Sequence, residues 1–368
     1  MREIVKVHST SDMSSSPPTF IKGTCTDMCP VRERKLREKE GLLHLLELPI
    51  GTPLHPAPEA HPYLTVKSFS RSAAGQHTPY QDDLRPPAIL YKTVCHLLTN
   101  IIERQGMEWC IVYDFVFDRL RAVRQDLVIQ GLGSVDSIMV LEPTVRFHSY
   151  AGYRLCAEPL SKFDPTINRT HLLECLKQLL VLYDEVQLGC HDTPGTGARA
   201  EMEALYLLLT LGYSETLSRS LHLPRELREH HALKTAFAMS LAMWCGNYIR
   251  ACALLPQLSP LLMCIAAQQL PLIRRRALQV MSCAYSSHNL TFPLSTLQTL
   301  LLYKTKGQVE SDCRHYSILV KGNAISFWKG AFQPDTHGPC LHVECVDTVL
   351  QSCDLPKLLL HPAKMKNF

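Results

Sequence analysis

The stretch Gly23-Thr-Cys-Thr-Asp-Met-Cys-Pro30, followed at once by Val31-Arg-Glu-Arg-Lys-Leu-Arg-Glu-Lys-Glu40, is the most informative part of the sequence. Two small apolar thiols, Cys25 and Cys29, lie in a segment without helical periodicity, and Pro30 precedes a strongly charged run. Proline suits the first turn of a helix, because the N–H that it lacks would have no partner there. The pattern predicts an extended segment that leads into a helix over residues 31–48, which Pro49 ends.

Downstream of Leu84, the apolar residues recur at helical spacing as far as about Ala284. One stripe with steps of three and four residues consists of Val112, Phe115, Val116, Leu120, Val123 and Leu127. Such spacing is typical of one buried helix face. Residues 232–253 are rich in small side chains, which allow helix axes to approach closely. The sequence therefore predicts an all-α body of stacked antiparallel helix pairs over residues 84–270.

The pattern changes near the C-terminus. A short amphipathic helix is predicted over residues 294–304, and the apolar runs 316–320 and 324–329 flank a turn at Lys321-Gly322-Asn323. Such runs around a glycine turn indicate a β-hairpin. Helices followed by a hairpin predict a winged helix over residues 271–330. Residues 331–368 then form a less regular C-terminal extension, with a short helix around residues 346–350.

Composition and the positions of the prolines complete the prediction of the domains. Residues 1–20 are polar and predict a disordered tail, and five prolines between Pro49 and Pro62 predict an extended linker within residues 21–83. The formal charge of +4 is only mildly basic, and 46% of the residues are hydrophobic. Fifteen cysteines without a recognisable export signal favour a reducing compartment. Prolines interrupt the most apolar stretch, residues 253–273, so no membrane partner is expected.

Several motifs, in this order along the chain, resemble those of the SAC/GANP family of messenger-RNA export scaffolds, and the match is closest to its short members. The motifs are the thiol segment, the Lys67-Ser-Phe-Ser-Arg-Ser-Ala-Ala-Gly75 element, the charged helix from Phe117 to Asp126 and the pair Asn247-Tyr248. The residues that carry the resemblance are Cys25, Asp27, Cys29, Pro30, Glu33, Arg34, Arg71, Asp118, Arg119, Arg121, Arg124, Asp126 and Asn247. The resemblance assigns them a structural role.

The resemblance implies a helical-repeat body of the PCI-like kind, ended by a winged helix. It also implies two partners: a second helical-repeat subunit, packed winged helix to winged helix, and a small acidic disordered protein. Short family members are linked with cell division. The resemblance therefore favours a scaffold for centrosome duplication, spindle assembly and mitotic progression, located in the cytoplasm, at the centrosome and on the spindle. The alternative is an adaptor for mRNA export or processing in the nucleus or at the nuclear pore.

Motifs for catalysis are absent from the sequence. Gly131-Leu-Gly133 lacks the third glycine of a phosphate-binding loop, and neither GxSxG nor HExxH occurs. The sequence predicts no enzyme, no cofactor and no small-molecule substrate. Cys25 with Cys29, and His337 with Cys340, His342 and Cys345, have spacings that a metal could use. Buried thiols are the preferred interpretation of Cys25 and Cys29, because free cysteine behaves as a small apolar side chain. For the second set an interpretation without metal is also preferred, because nothing else in the sequence suggests a zinc finger.

Two groups of charged residues are candidates for binding. The cluster Asp118, Arg119, Arg121, Arg124 and Asp126 could be a binding surface, but ion pairs that tie neighbouring helices together are preferred. Basic residues of the predicted winged helix are the candidates for nucleic-acid contact, with RNA as the expected ligand and a solvated face as the alternative. They are Arg274, Arg275, Arg276, Lys304, Lys306, Arg314, Lys321 and Lys329.

Overall fold

The computed structural model describes residues 20–52, 58–71, 79–188, 195–333 and 338–360, so the predicted tail lies almost wholly outside the described residues. The described chain is mostly helical, as the sequence predicts, with one small sheet. Its α-helices are α1 (Val31–Lys39), α2 (Pro87–His96), α3 (Trp109–Gln130), α4 (Ser134–Arg154), α5 (Pro165–Leu188), α6 (Thr196–Leu209), α7 (Ser214–His222), α8 (Arg225–Glu229), α9 (His231–Trp244), α10 (Tyr248–Leu254), α11 (Pro260–Gln268), α12 (Leu270–Ala284), α13 (Leu294–Leu300), α14 (Lys306–His315), α15 (Glu344–Gln351) and α16 (Leu355–Leu360).

Helix α4 is the centre of the body, and it packs against α2, α3, α5, α11 and α16. Its partner α5 runs antiparallel to it. Ser134 at the start of α4 donates to Glu185 near the end of α5 over 3.1 Å, whereas His148 and Asn168 meet at the opposite ends, 2.8 Å apart. Nearly every residue of α4 after Ser137 is buried, so this helix has no solvent-exposed stripe of its own.

Helix α3 confirms the predicted apolar stripe, whose six residues are all buried. The helix ends where Gly131 adopts a positive φ of 53°, a left-handed conformation that glycine reaches without steric cost. A side chain there would collide with the ring of Phe20. The residue shortly before the thiol-containing stretch 23–30, here called the signature segment, therefore lies against the end of α3.

The predicted helix over residues 31–48 is too long. Helix α1 ends at Lys39, because Gly41 turns the chain with a φ of +65°. A single 3-10 turn follows at Leu45–Glu47, and it places Leu46 and Glu47 in the interior. The charged run up to Lys39 is helical, but after Gly41 the chain turns into the interior, so the helix does not continue to residue 48.

The chain just after the predicted proline-rich linker packs into the core. Residues 53–57 lie outside the described chain, but Thr65 and Val66 are completely buried. The Val66 N–H donates to Glu47 over 3.0 Å, and the Lys67 N–H donates to the Met28 carbonyl over 3.0 Å. This extended segment is therefore part of the core that joins the signature segment to α3.

A three-stranded antiparallel sheet follows α12. Its strands are β1 (Phe292–Pro293), β2 (Leu319–Lys321) and β3 (Ala324–Ser326), in the order β1-β3-β2. The predicted hairpin is confirmed as β2 and β3, with Gly322 at a φ of +60° in the turn, although its strands are shorter than the apolar runs. Strand β1 was not predicted, because two residues carry no periodic pattern.

The C-terminal extension packs back on the body, with the predicted helix present as α15. Helix α15 contacts α11, and α16 contacts α4. The Tyr153 hydroxyl, from α4, accepts a hydrogen bond from the Val343 N–H at 2.8 Å and donates to the Asp347 carboxylate at 2.7 Å. Within the described part of the chain, none of the helices combines the length and apolar character needed to span a bilayer.

Candidate functional site

The signature segment lies in the interior. Cys29 is fully buried and Cys25 nearly so. The Cys25 N–H donates to the Leu84 carbonyl over 3.0 Å, and a Cβ on Gly23 would come within 2.4 Å of the same oxygen. Only glycine permits that approach without a shift of the backbone. The segment is thus clamped against residues 81–85.

The charged residues just after the thiols fix the start of α1. Asp27 pairs with Arg34 at 2.8 Å. Pro30 occupies the N-cap position of the helix. Glu33 accepts hydrogen bonds at 2.8 Å from both the N–H and the hydroxyl of Ser68. These contacts join α1 to the extended segment that follows it in the chain.

Glu47 is the centre of a buried charge network. Its carboxylate pairs with Arg37 and Arg119, and it accepts the His44 N–H at 3.0 Å as well as that of Val66. Burial acts to raise the pKa of Glu47, but Arg119 and Arg37 outweigh it, so this pKa lies below its ordinary value. A fully buried carboxylate with these partners stays ionised.

Asp126 is the centre of a second buried network, about two turns beyond Arg119 along α3. Its two oxygens meet Lys67 and Arg85, each at 2.7 Å, and Arg85 is itself fully buried. Gln130 connects this network to the signature segment, since it accepts the Gly23 N–H and donates to the Arg85 carbonyl, both at 2.8 Å. Together the two networks bind four chain segments to α3, namely residue 23, residues 37–47, residues 66–67 and residue 85.

The remaining signature residues lie nearer the surface. Asp118 pairs with Arg119 and accepts the Phe69 N–H. The Arg121 guanidinium lies 3.8 Å from the centre of the Phe69 ring, and Arg124 is 3.6 Å from Glu174. Arg71 is exposed. Asn247 caps α10 by accepting the Arg250 N–H at 3.0 Å.

The candidate metal ligands do not gather. Among the described residues, no three side chains of His, Cys, Asp or Glu are close enough to hold an ion, and His337 lies outside those residues. Burial raises the pKa of Cys29 to about 12. Cys340 shares a hydrogen bond with Cys156, which lowers the pKa of Cys340 and raises that of Cys156. These thiols act as packing groups in the body.

Arg274 does not belong with the other basic candidates. It is 3% exposed, and its guanidinium donates to the carbonyls of Leu301 and Leu302 at 3.0 and 2.6 Å. It also lies 3.9 Å from the centre of the Tyr303 ring. The prediction of nucleic-acid contact is wrong for this residue, because its donors hold the chain between α13 and α14.

The other candidates differ in what they contact. Lys304 is paired with Glu344 at 3.1 Å and Asp347 at 3.3 Å. Arg275 is half-buried. Besides Lys304, which is exposed as well, the exposed candidates are Arg276, Lys306, Arg314, Lys321 and Lys329. None of these five has a carboxylate oxygen within 4 Å among the described residues, and Lys306 reaches only the Asn323 amide oxygen at 3.3 Å.

Two features beside these cations were not selected from the sequence. Trp328 is 47% exposed, and its ring lies against that of His288 with ring centres 4.5 Å apart and a tilt of 39°. An open groove of about 390 Å³ runs between α14 and β2, lined by Arg314 and Leu319 among others. The alternation after β3, with Ile325 and Phe327 inward, places Trp328 outward and could have identified it.

With this geometry in view, comparison with known proteins gives a direct result: the model of the SAC3/GANP family matches residues 28–322. The chain belongs to the SAC3/GANP family. It is 29% identical over 313 residues to Protein xmas of Drosophila melanogaster, covering 81% of this chain and 15% of that protein. It is 27% identical over 345 residues to SAC3 family protein 1 of Schizosaccharomyces pombe, covering 86% and 32%.

A third relative is SAC3 family protein B of Arabidopsis thaliana, 30% identical over 280 residues, or 72% of this chain and 16% of that protein. The chain thus spans about a third or less of these curated relatives. The SAC3/GANP match begins at Met28, inside the signature segment, and ends at Gly322, in the β2–β3 turn. It therefore includes both buried networks and most of the exposed cations.

Proposed function

We propose that this chain is a non-enzymatic scaffold that binds RNA through its C-terminal module, here defined as residues 270–329. The observation that carries the proposal is the set of exposed cations on α14 and the β2–β3 turn, namely Lys306, Arg314 and Lys321. Unpaired lysines and arginines are suited to phosphate oxygens, which they contact with little sequence preference.

We infer that this module is a winged helix. Its elements follow one another as α12, β1, α13, α14 and the β2–β3 hairpin, and β1 closes the sheet by pairing with β3. In this arrangement α14 is the helix that faces the nucleic acid, and the hairpin is the wing. The antiparallel packing of α4 and α5 supports the proposal of a PCI-like helical-repeat body behind it.

Trp328 adds a second kind of contact. An exposed aromatic ring next to cations is a platform on which an unstacked base can lie, and such stacking is largely independent of sequence. The Lys329 side chain is exposed immediately after it. The module is therefore better matched to single-stranded RNA than to a duplex.

The rest of the chain supplies rigidity and a place for partners. Strand β2 is an outer strand of the sheet, and its Leu319 is 52% exposed. An open strand edge with an apolar residue can pair with another chain. We propose that the winged helix of a second helical-repeat subunit packs here, with a small acidic protein as the third component that the family resemblance implies.

In the cell, we propose a role as an adaptor in mRNA export or processing, in the nucleus or at the nuclear pore. The role in centrosome duplication, spindle assembly and mitotic progression stays a prediction from short family members, since no contact of the described residues bears on it. Imaging a tagged chain through the cell cycle separates the two. A nuclear-rim signal favours export, and paired dots at the spindle poles favour cell division.

RNA binding is tested by fluorescence anisotropy with a 20-nucleotide oligouridine at several salt concentrations. In the variant R314E/K321E we expect the affinity to fall at least about tenfold, and the slope of log K against log salt to become shallower by about 1.4, as two lost phosphate contacts imply for a single strand. The control R225E/R228E makes the same charge change on α8. Equal affinities of both variants and the parent would overturn the proposal.

A further inference from the structure

We propose that a pocket on α3, distant in the chain from the C-terminal module, binds an acidic peptide segment of a protein partner. The pocket, here called the Arg121 pocket, lies between residues 67–71, α3 and α5 and has a volume of about 340 Å³. Its lining includes Phe69, Arg121, Arg124, Gln125, Val128 and His171. This volume is at the small end of ligand sites, about 300–1,000 Å³, and suits a few side chains of a peptide.

Arg121 is held in place by two aromatic rings, and no described residue is a charged partner for it. Its guanidinium lies 3.8 Å from the centre of the Phe69 ring and 5.5 Å from that of Phe117. Among the described residues, no carboxylate oxygen lies within 4 Å of it, although Asp118 is one turn away on the same helix. A guanidinium fixed by stacking keeps its planar N–H edge available for a carboxylate at little entropic cost.

Arg124 and His171 share one exposed carboxylate. Glu174 is 3.6 Å from Arg124 and 3.7 Å from His171, both longer than a hydrogen bond, and its side chain is 54% exposed. Such a surface pair contributes little stability, so a ligand carboxylate can displace Glu174. The buried Nδ1 of His171 has no hydrogen-bond partner among the described atoms.

The second half of the recognition is apolar. Val128 is 66% exposed on α3, and Ile129 and the edge of Phe69 adjoin it in the lining. Exposed aliphatic side chains beside cations match a peptide in which an acidic residue neighbours a leucine, isoleucine or phenylalanine.

A peptide fits this pocket better than RNA does. Bases stack on exposed aromatic rings, and Phe69 is half-buried with the Arg121 guanidinium on one face, whereas Trp328 of the C-terminal module is exposed. Of the other lining groups, Val128 and Ile129 are aliphatic, and Gln125 is an amide. The proposal does not depend on RNA binding by the C-terminal module, and it adds a protein-binding site to the scaffold on a different set of helices.

The test is a selection of random 12-residue peptides displayed on phage against the full chain. Selected peptides should be enriched in Asp or Glu next to a large apolar residue. Their affinity, measured by fluorescence anisotropy, should fall at least about tenfold in R124E and in V128E. Val128 is exposed and the Arg124 side chain is 22% exposed, so thermal melts of both variants are recorded, and V128E, whose melt should match the parent, carries the comparison if R124E is less stable.

The control is V280E, which introduces the same charge at a valine that is 51% exposed on α12 and does not line the pocket. Peptide affinity should be unchanged there, and oligouridine affinity should be unchanged in V128E. The proposal is overturned if the selection yields no acidic consensus, or if the selected peptides bind R124E and V128E as tightly as the parent. It is also overturned if these two variants weaken oligouridine binding instead.

Discussion

Two regions of this molecule carry charged residues in the sequence but place them in opposite ways in the structure. On α3, Asp126 and Arg119 point inward, and each has a buried partner of opposite charge. In the C-terminal module, Arg314 and Lys321 point outward and have no such partner among the described residues. A run of charges in a sequence therefore does not indicate a surface. The partners that lie far away in the chain, such as Glu47 and Arg85, decide which way the charges face.

The largest effect is expected for the inward charges. In D126A, Arg85 is left buried without a counter-charge and Lys67 loses its partner, so we expect the free energy of unfolding to fall by about 3–5 kcal/mol. Urea unfolding followed by circular dichroism measures it. The control D354A removes the exposed pair with Lys357 and the hydrogen bond that Asp354 accepts from the Lys357 N–H, and its cost should stay close to about 1 kcal/mol. If both variants lost the same free energy of unfolding, the buried network around Asp126 would contribute no more stability than a surface ion pair.

A smaller effect separates Arg274 from its neighbour Arg276. R274A removes the donors that satisfy the Leu301 and Leu302 carbonyls, and Leu302 adopts an unfavourable φ of +55° that these bonds help to hold. We expect a loss of about 1–3 kcal/mol in unfolding free energy. R276A, at an exposed position, should change it by no more than about 0.5 kcal/mol. Thermal and urea unfolding of R274A and R276A measure these losses. A larger loss in R276A than in R274A would contradict the burial of Arg274.

The buried, uncharged side chain of His148 makes the free energy of unfolding depend on pH. Burial lowers the pKa of His148 to about 4, from an ordinary value of 6.5, and its Nδ1 lies 2.8 Å from the Asn168 side-chain oxygen. Between these values the unfolded chain binds a proton that the folded chain does not, so acidification destabilises the fold. From pH 7 to pH 5 this histidine should account for a loss of about 2 kcal/mol.

The measurement is urea unfolding at pH 7 and pH 5 for the parent and H148Q. The difference between them isolates His148, because burial also lowers the pKa of His44 and His96 and so adds to the total slope. A variant with the same pH dependence as the parent would show that His148 is charged in the folded state or is not buried.

Local pattern was enough to predict the helical body, the hairpin and the short C-terminal helix. The stripe from Val112 to Leu127 needed only periodicity, and the turn at Gly322 needed only its glycine. Gly41 could have indicated the end of α1 at Lys39, but the inward turn at Leu45–Glu47 could not be predicted locally, since it depends on the burial of Glu47 against Arg37 and Arg119. These contacts join residues that are far apart in sequence.

The candidate site was predictable to a similar degree. The exposed lysines and arginines of the module follow from composition and position, and the family motifs indicated which residues of α3 matter. Arg274 differs from Arg276 only in which face of α12 it occupies, which the apolar residues Ile273, Ala277 and Leu278 could have indicated. Trp328 was overlooked because a single aromatic residue after a strand is an ordinary feature of a hairpin.

Amide hydrogen exchange of the full chain, with and without saturating oligouridine, tests the central contrast most directly. The outward cations predict that RNA slows exchange in α14 and in the β2–β3 turn, and leaves α3 and the signature segment unchanged. Protection centred on α3, or no protection in residues 306–329, would contradict the assignment of the C-terminal module as the surface that binds nucleic acid.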